Sequence, residues 1–119
     1  MIVVYGLKNC DSCRKARGWL EGQGIAHRFH DLRADGFPGE RLPAWLSAVG
    51  WETLLNRRGT TWRQLPEETR AGAGAETVAE LLEAYPALIK RPVFDLPDGQ
   101  VLVGFAAAQQ AALADAGSK

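Results

Sequence analysis

Apolar positions along this chain recur with two different periods, and the points where the period changes mark its elements. Ile2-Val3-Val4-Tyr5 is a continuous, β-branched-rich apolar run ended by Gly6, the pattern of a buried strand. Lys8-Asn9 reads as a loop. From Asp11 or Ser12 onward polar N-cap types come first, and then Cys13, Ala16 and Leu20 recur as one face of a helix. Gly22 and Gly24 close it. Ile25–Leu32 alternates loosely around Phe29 and predicts a second strand, ended by Asp35-Gly36. Strand, helix and strand within about 30 residues predict a right-handed, parallel βαβ unit.

The middle of the chain is helical in pieces. Leu42, Trp45, Leu46 and Val49 form one apolar face stopped by Gly50, and Trp51–Leu55 adds a turn or more before a polar, non-helical Asn56–Thr61. After Pro66, a helix around Glu76–Tyr85 directs Val78, Leu81 and Leu82 inward and Glu76, Glu80 and Glu83 outward, until Pro86 breaks it. Pro92–Leu96, a Pro-Asp-Gly turn at Pro97–Gly99 and Val101–Phe105 predict a β-hairpin. Ala106–Ala116 follows as an Ala-rich helix. The expected order is β-α-β, a helical insert at about residues 41–85, then β-β-α, in a single domain over 1–119 with a mixed four-stranded sheet.

A chain of 119 residues suits one domain, since two would each be too small to bury a good core. At 46% hydrophobic and 24% charged the composition is that of a soluble globular fold. No apolar run approaches the roughly 20 residues of a membrane span. The opening run is too short for a signal-peptide core and has no small-residue cleavage site behind it. A cytoplasmic monomer is expected, with its two cysteines reduced, catalytic or metal-bound. The net charge of zero is unevenly placed: residues 1–65 hold ten Lys/Arg against six Asp/Glu, and the remainder four against eight. The early surplus suits a small anion or an acidic peptide. A pI near 6.7, with no long basic run, argues against nucleic acid.

Cys10-Asp11-Ser12-Cys13 admits three readings: a redox pair, half a zinc site, or two small apolar residues opening a helix. His27 and His30 give the zinc reading some shape, but a finger needs three to five residues between its histidines. On a strand, positions three apart point to opposite faces, so no metal is expected. The redox reading has more behind it. Cys10 lies between a buried strand and a helix start, where helix N–H groups and dipole favour a thiolate. Lys8, Arg14 and Lys15 add positive charge nearby. Cys13, three residues on, reads equally as a resolving thiol or as a small core residue. A Cys-x-x-Cys in this place, in a chain that continues β-β-α, predicts a thioredoxin-like α/β fold with Cys10 as its reactive group. Two further clusters are candidates for anion binding: Asn56–Thr61, with Arg57, Arg58 and Thr60, and Ile89–Pro92. In thioredoxin-like folds the proline corresponding to Pro92 is commonly cis and faces the reactive cysteine, which favours a functional Arg91 over solvated charge.

Four stretches, YGLKNCDSCRKARGWL, VGWETLLNRRGTTWRQL, LIKRPV and VLVGF, resemble in order the arsenate reductase/Spx family, and within it the YffB subgroup. The resemblance runs from about Ile2 to about Phe105 and implies a thioredoxin-like core with a helical insert and a reactive Cys10. Arsenate reductases of this type use one such cysteine, glutathione as reductant and three arginines around the oxyanion. Arg91 falls on one of those positions. Another holds Asn56, with Arg57 one residue later, and the third falls near Gly104, where there is no arginine. Each loss removes a charged donor to a buried oxyanion.

The YffB resemblance implies instead a glutathione-dependent thiol reductase without a bound cofactor. Cys10 would attack a disulfide or glutathionylated substrate, and Cys13 or glutathione would resolve the adduct. Lys8, Arg57 and Arg91 would hold glutathione's carboxylates, the backbone before Pro92 its peptide, and Thr60 would assist. The alternatives are an arsenate reductase coupled through glutathione and glutaredoxin, and a redox-sensing regulator of Spx type that binds the RNA polymerase α subunit.

Overall fold

The structure is a computed structural model that describes residues 1–117. In chain order its elements are β1 (Ile2–Gly6), α1 (Asp11–Gly22), β2 (His27–Asp31), α2 (Leu42–Val49), α3 (Trp51–Leu54), α4 (Thr60–Gln64), α5 (Glu67–Ala71), α6 (Val78–Ala84), β3 (Val93–Asp95), β4 (Val101–Val103) and α7 (Ala107–Gly117), with 3-10 turns at Gly39–Arg41 and Pro86–Leu88. The backbone groups into two units, one of Met1–Gly36 with the segment from Arg91 onward, the other of Phe37–Lys90.

The first unit holds a mixed sheet ordered β2-β1-β3-β4. β1 pairs parallel with β2, and β3 pairs antiparallel with both β1 and β4. This is the thioredoxin-like arrangement the sequence predicts. The registers explain why it forms. Phe29 lies beside Val4, Val4 beside Phe94, and Phe94 beside Leu102, so one row of apolar side chains crosses all four strands. Ile2 lies two residues from Val4 and so shares its face. Ala16 and Leu20 from α1 and Leu113 from α7 complete the core on that face. A spacing of four places Ala16 and Leu20 on one side of α1. Phe94 is fully buried at the centre of the row, and Phe94→Ala is expected to lower stability by about 3–5 kcal/mol, measured by urea unfolding.

In the second unit Leu42 and Trp45 of α2, Leu54 of α3, and Val78, Leu81 and Leu82 of α6 are buried. Gly50, at φ +82, makes the sharp turn between α2 and α3 that a side chain would strain. Leu55 and Ile89 form an isolated antiparallel bridge, and the Asn56 amide donates to the Leu88 carbonyl at 2.7 Å. Two features depart from the expected pattern. Thr60-Thr61 opens α4 instead of ending a loop, with the extended Gly59 as the N-cap. α5 follows Pro66 directly, with Glu67 and Glu68 in its first turn, where carboxylates suit the helix dipole. Both helices have five residues, too few for a hydrophobic period to register.

Candidate active site

β1 runs out at Gly6, and the chain turns back on itself before α1. The Cys10 amide donates to the Leu7 carbonyl at 3.2 Å, closing the turn, and the Arg14 amide donates to the Cys10 carbonyl at 2.9 Å as the helix begins. Cys10 is thus the N-cap of α1, in extended conformation, and its side chain makes no capping bond. It is half-buried, while Asp11 and Ser12 beside it are exposed. Cys13, one turn into the helix, is 1% exposed.

Both cysteines are free thiols with opposite electrostatic settings. Burial is the largest single influence on Cys10 and opposes its ionisation. The Cys13 amide, the Arg91 guanidinium and the Cys13 thiol donate to its sulfur, and the Arg91 charge attracts it; together they outweigh burial and hold the Cys10 thiol below its ordinary range. Cys13 goes the other way: burial, reinforced by the neighbouring Cys10 sulfur, pushes it up to about 12 against the opposing Leu7 amide and Arg91. The arrangement favours a thiolate at Cys10 and keeps Cys13 protonated. Arg14, by contrast, is ion-paired with Asp11 one turn away, so the positive charge acting on Cys10 is that of Arg91.

Arg91→Gln removes that charge and is expected to raise the Cys10 pKa, because the thiolate loses more than the thiol does. Iodoacetamide alkylation of Cys10 should then follow a pH curve displaced toward alkaline pH with an unchanged plateau. An undisplaced curve would show that Arg91 does not act on the sulfur.

The sequence-derived candidates separate as follows. Cys10, Cys13 and Arg91 come together. Pro92 is buried, follows Arg91 through a cis peptide, and accepts at its carbonyl from the Gly104 amide at 2.8 Å. Lys8 is exposed in the turn before Cys10. Arg57 and Thr60 belong to the second unit. Arg57 lies 3.9 Å from Glu52 and 5.7 Å from the Trp51 ring, on a cleft of about 310 Å³ that Arg58 and Lys90 also edge. Thr60 is the exposed first residue of α4. His27 Nδ1 lies 2.9 Å from the Ile25 carbonyl, and His30 Nε2 lies 2.7 Å from that of Gly36. Among the described residues no three His, Cys, Asp or Glu side chains gather where a metal would need them, and no helix is long and apolar enough to cross a membrane.

Two residues of the site went unread in the sequence. Gly6 reads only as a strand terminator, yet a methyl group built on its Cα would land on the Cys13 sulfur. Asp31 lies within the strand predicted over Ile25–Leu32 and carries no reading of its own. It is 5% exposed, with Oδ1 accepting from the Arg33 and Ala34 amides, both at 2.8 Å, and Oδ2 from the Lys8 amide at 3.1 Å. These bonds, the Ala34 one foremost, outweigh burial and hold its carboxyl below the usual range. A carboxylate at the end of a strand, two residues before Arg33, was the available signal.

Comparison with known proteins places this geometry among relatives. The ArsC family pattern matches residues 5–113. A solved structure named YffB protein superposes with a TM-score of 0.88 at 44% identity, covering 95% of this chain and 98% of that one. The solution structure of an arsenate reductase (ArsC) related protein from Brucella melitensis gives a TM-score of 0.74 at 48% identity, covering 93% and 92%. The global transcriptional regulator Spx of Lactiplantibacillus plantarum is 25% identical over 107 residues, 88% of this chain and 80% of its own.

Proposed function

The chain belongs to the ArsC family, as a YffB-like member, and from that premise we propose that it is a glutathione-dependent thiol–disulfide reductase with the Cys10 thiolate as nucleophile. The observation that carries this reading is the pair of donors, the Arg91 guanidinium and the Cys13 amide, held on a half-buried sulfur at a helix start. A charge-assisted donor favours the thiolate, and the thiolate is the form that attacks disulfides.

In the proposed cycle the Cys10 sulfur attacks the glutathione sulfur of a glutathionylated substrate. The substrate sulfur leaves as a thiolate and takes up a proton, and Cys10 becomes a mixed disulfide with glutathione. A second thiol, on losing its proton, displaces one sulfur of that bond. When glutathione attacks, glutathione disulfide leaves and the Cys10 thiolate returns. When Cys13 attacks, glutathione leaves and a Cys10–Cys13 disulfide remains for a further thiol to reduce. A mass decrease of two hydrogens on mild oxidation without glutathione would support the Cys10–Cys13 disulfide that the second route requires. Lys8 and Arg91 supply cations for the glutathione carboxylates, and the backbone before Pro92 supplies hydrogen bonds for its peptide.

The test is a glutathione titration followed by NMR, together with turnover of a glutathione mixed disulfide read as NADPH oxidation through glutathione reductase. Shifts at Lys8–Cys13 and Arg91, with turnover above the uncatalysed rate, are expected. A flat titration with no turnover would overturn the reading. Arsenate reduction is the second reading, favoured by the 48% identical relative named as arsenate reductase related and by the Cys10–Arg91 pair. Arsenate-dependent NADPH oxidation through glutathione and glutaredoxin tests it, and a rate at background dismisses it.

A further inference from the structure

Asp31 sits where the ends of two strands meet the turn that carries the reactive thiol. In the parallel register it stands beside Gly6, and the next amide, that of Leu32, donates to the Gly6 carbonyl at 2.8 Å. Its carboxylate is shared between two places. Oδ1 binds the Arg33 and Ala34 amides and so shapes the turn that follows its own strand. Oδ2 reaches across to the Lys8 amide, inside the Leu7–Cys10 turn. The Asp31 amide in turn donates to Asp35 Oδ2 at 2.8 Å, a bond of the turn after β2 in which the Asp31 carboxylate takes no part.

A nearly buried carboxylate is costly unless its oxygens are satisfied, and here three backbone amides satisfy them. Shaping the turn after β2 accounts for two of the three. The third bond has its effect at the Leu7–Cys10 turn, whose Leu7 and Cys10 amides face the Cys13 sulfur and the Leu7 carbonyl respectively.

We propose that Asp31 is a positioning residue for the Cys10 thiol, its carboxylate fixing the Leu7–Cys10 turn through the Lys8 amide. The proposal rests on the reading of Cys10 as the nucleophile. Asp31 touches no reacting atom; it sets the place of the turn from which the sulfur is presented.

Asp31→Asn separates the two functions of the carboxylate. It keeps an oxygen for Arg33 and Ala34 but turns an N–H toward the Lys8 amide, so two donors face each other. The readout is the pH dependence of iodoacetamide alkylation, localised to Cys10 by mass spectrometry. The midpoint is expected to rise by about half a pH unit or more, which lowers the rate about threefold at pH values below the midpoint. Asp35→Ala, which breaks a neighbouring bond of the same turn and leaves the Lys8 bond in place, is expected to keep the wild-type midpoint. An unmoved midpoint in folded Asp31→Asn, or an equal displacement in Asp35→Ala, would overturn the proposal.

If Asp31→Asn does not fold, the wild-type protein serves. On acid titration by NMR, the Lys8 amide must shift together with those of Arg33 and Ala34 as the Asp31 carboxyl protonates. A Lys8 amide that does not follow them overturns the proposal. Alkylation needs only a reactive thiol, so these outcomes stand apart from the turnover and glutathione titration that test the reductase reading.

Discussion

Cys10→Ser is expected to reduce turnover of a glutathione mixed disulfide to the uncatalysed rate while changing stability by no more than about 1 kcal/mol. A serine hydroxyl keeps the size and polarity of the N-cap position, so the fold has little to lose. The chemistry has everything to lose, because an alkoxide is not available near neutral pH, whatever Arg91 and the Cys13 amide offer it. Coupled NADPH oxidation, with urea unfolding as the control for folding, measures both quantities. Unchanged turnover in the variant would remove Cys10 from the mechanism. Cys13→Ser should behave differently under excess glutathione, which displaces the mixed disulfide by itself; loss of turnover there would make Cys13 obligatory.

Gly6→Ala is expected to lower stability and the reactivity of Cys10 together, though the change adds one carbon. Its new methyl group would occupy the place of the Cys13 sulfur, with Cys13 Cβ at 3.3 Å and the Phe29 ring at 3.5 Å leaving little room to shift. Overpacking of this kind costs about 1–3 kcal/mol. It also displaces the Cys13 thiol, a donor to Cys10, so the alkylation curve of Cys10 should move toward alkaline pH. A double-mutant cycle decides the cause. With Cys13→Ala the obstructing sulfur is gone, and the stability cost of Gly6→Ala should fall by about 1 kcal/mol or more. Equal costs in the two backgrounds would show that the clash is not the source.

The fold was legible where local pattern and burial coincide. The Ile2–Tyr5 run, the Cys13, Ala16 and Leu20 spacing and the Pro-Asp-Gly hairpin each name an element, and the structure forms β1, α1 and the β3–β4 pair there. The short α4 and α5 were not legible, because five residues give too little of a period. At the site, the sequence marks Cys10 by its place after a buried strand. It places charge at Lys8, Arg14 and Lys15 and reaches Arg91 only through the proline that follows it; Arg14, a helical neighbour, turns to Asp11, and Arg91, about eighty residues away in the chain, acts on the sulfur. Contacts that distant follow from sheet topology, which a linear pattern does not carry. The same holds for Asp31 against Lys8, where the partner is fixed by register.

The unit that carries the thiol is assembled from both ends of the chain, with Phe37–Lys90 between them. On the ribosome this imposes an order. A nascent chain that has not yet reached residue 91 already contains β1, α1 and β2, with Cys10 at its turn, but no guanidinium to attract the sulfur and no β3 to pair with the free edge of β1. Without that guanidinium one of the influences that lower the Cys10 thiol is missing, and a smaller share of it is thiolate. The charge that acts on Cys10 is therefore present only once the sheet has been closed from both ends of the chain.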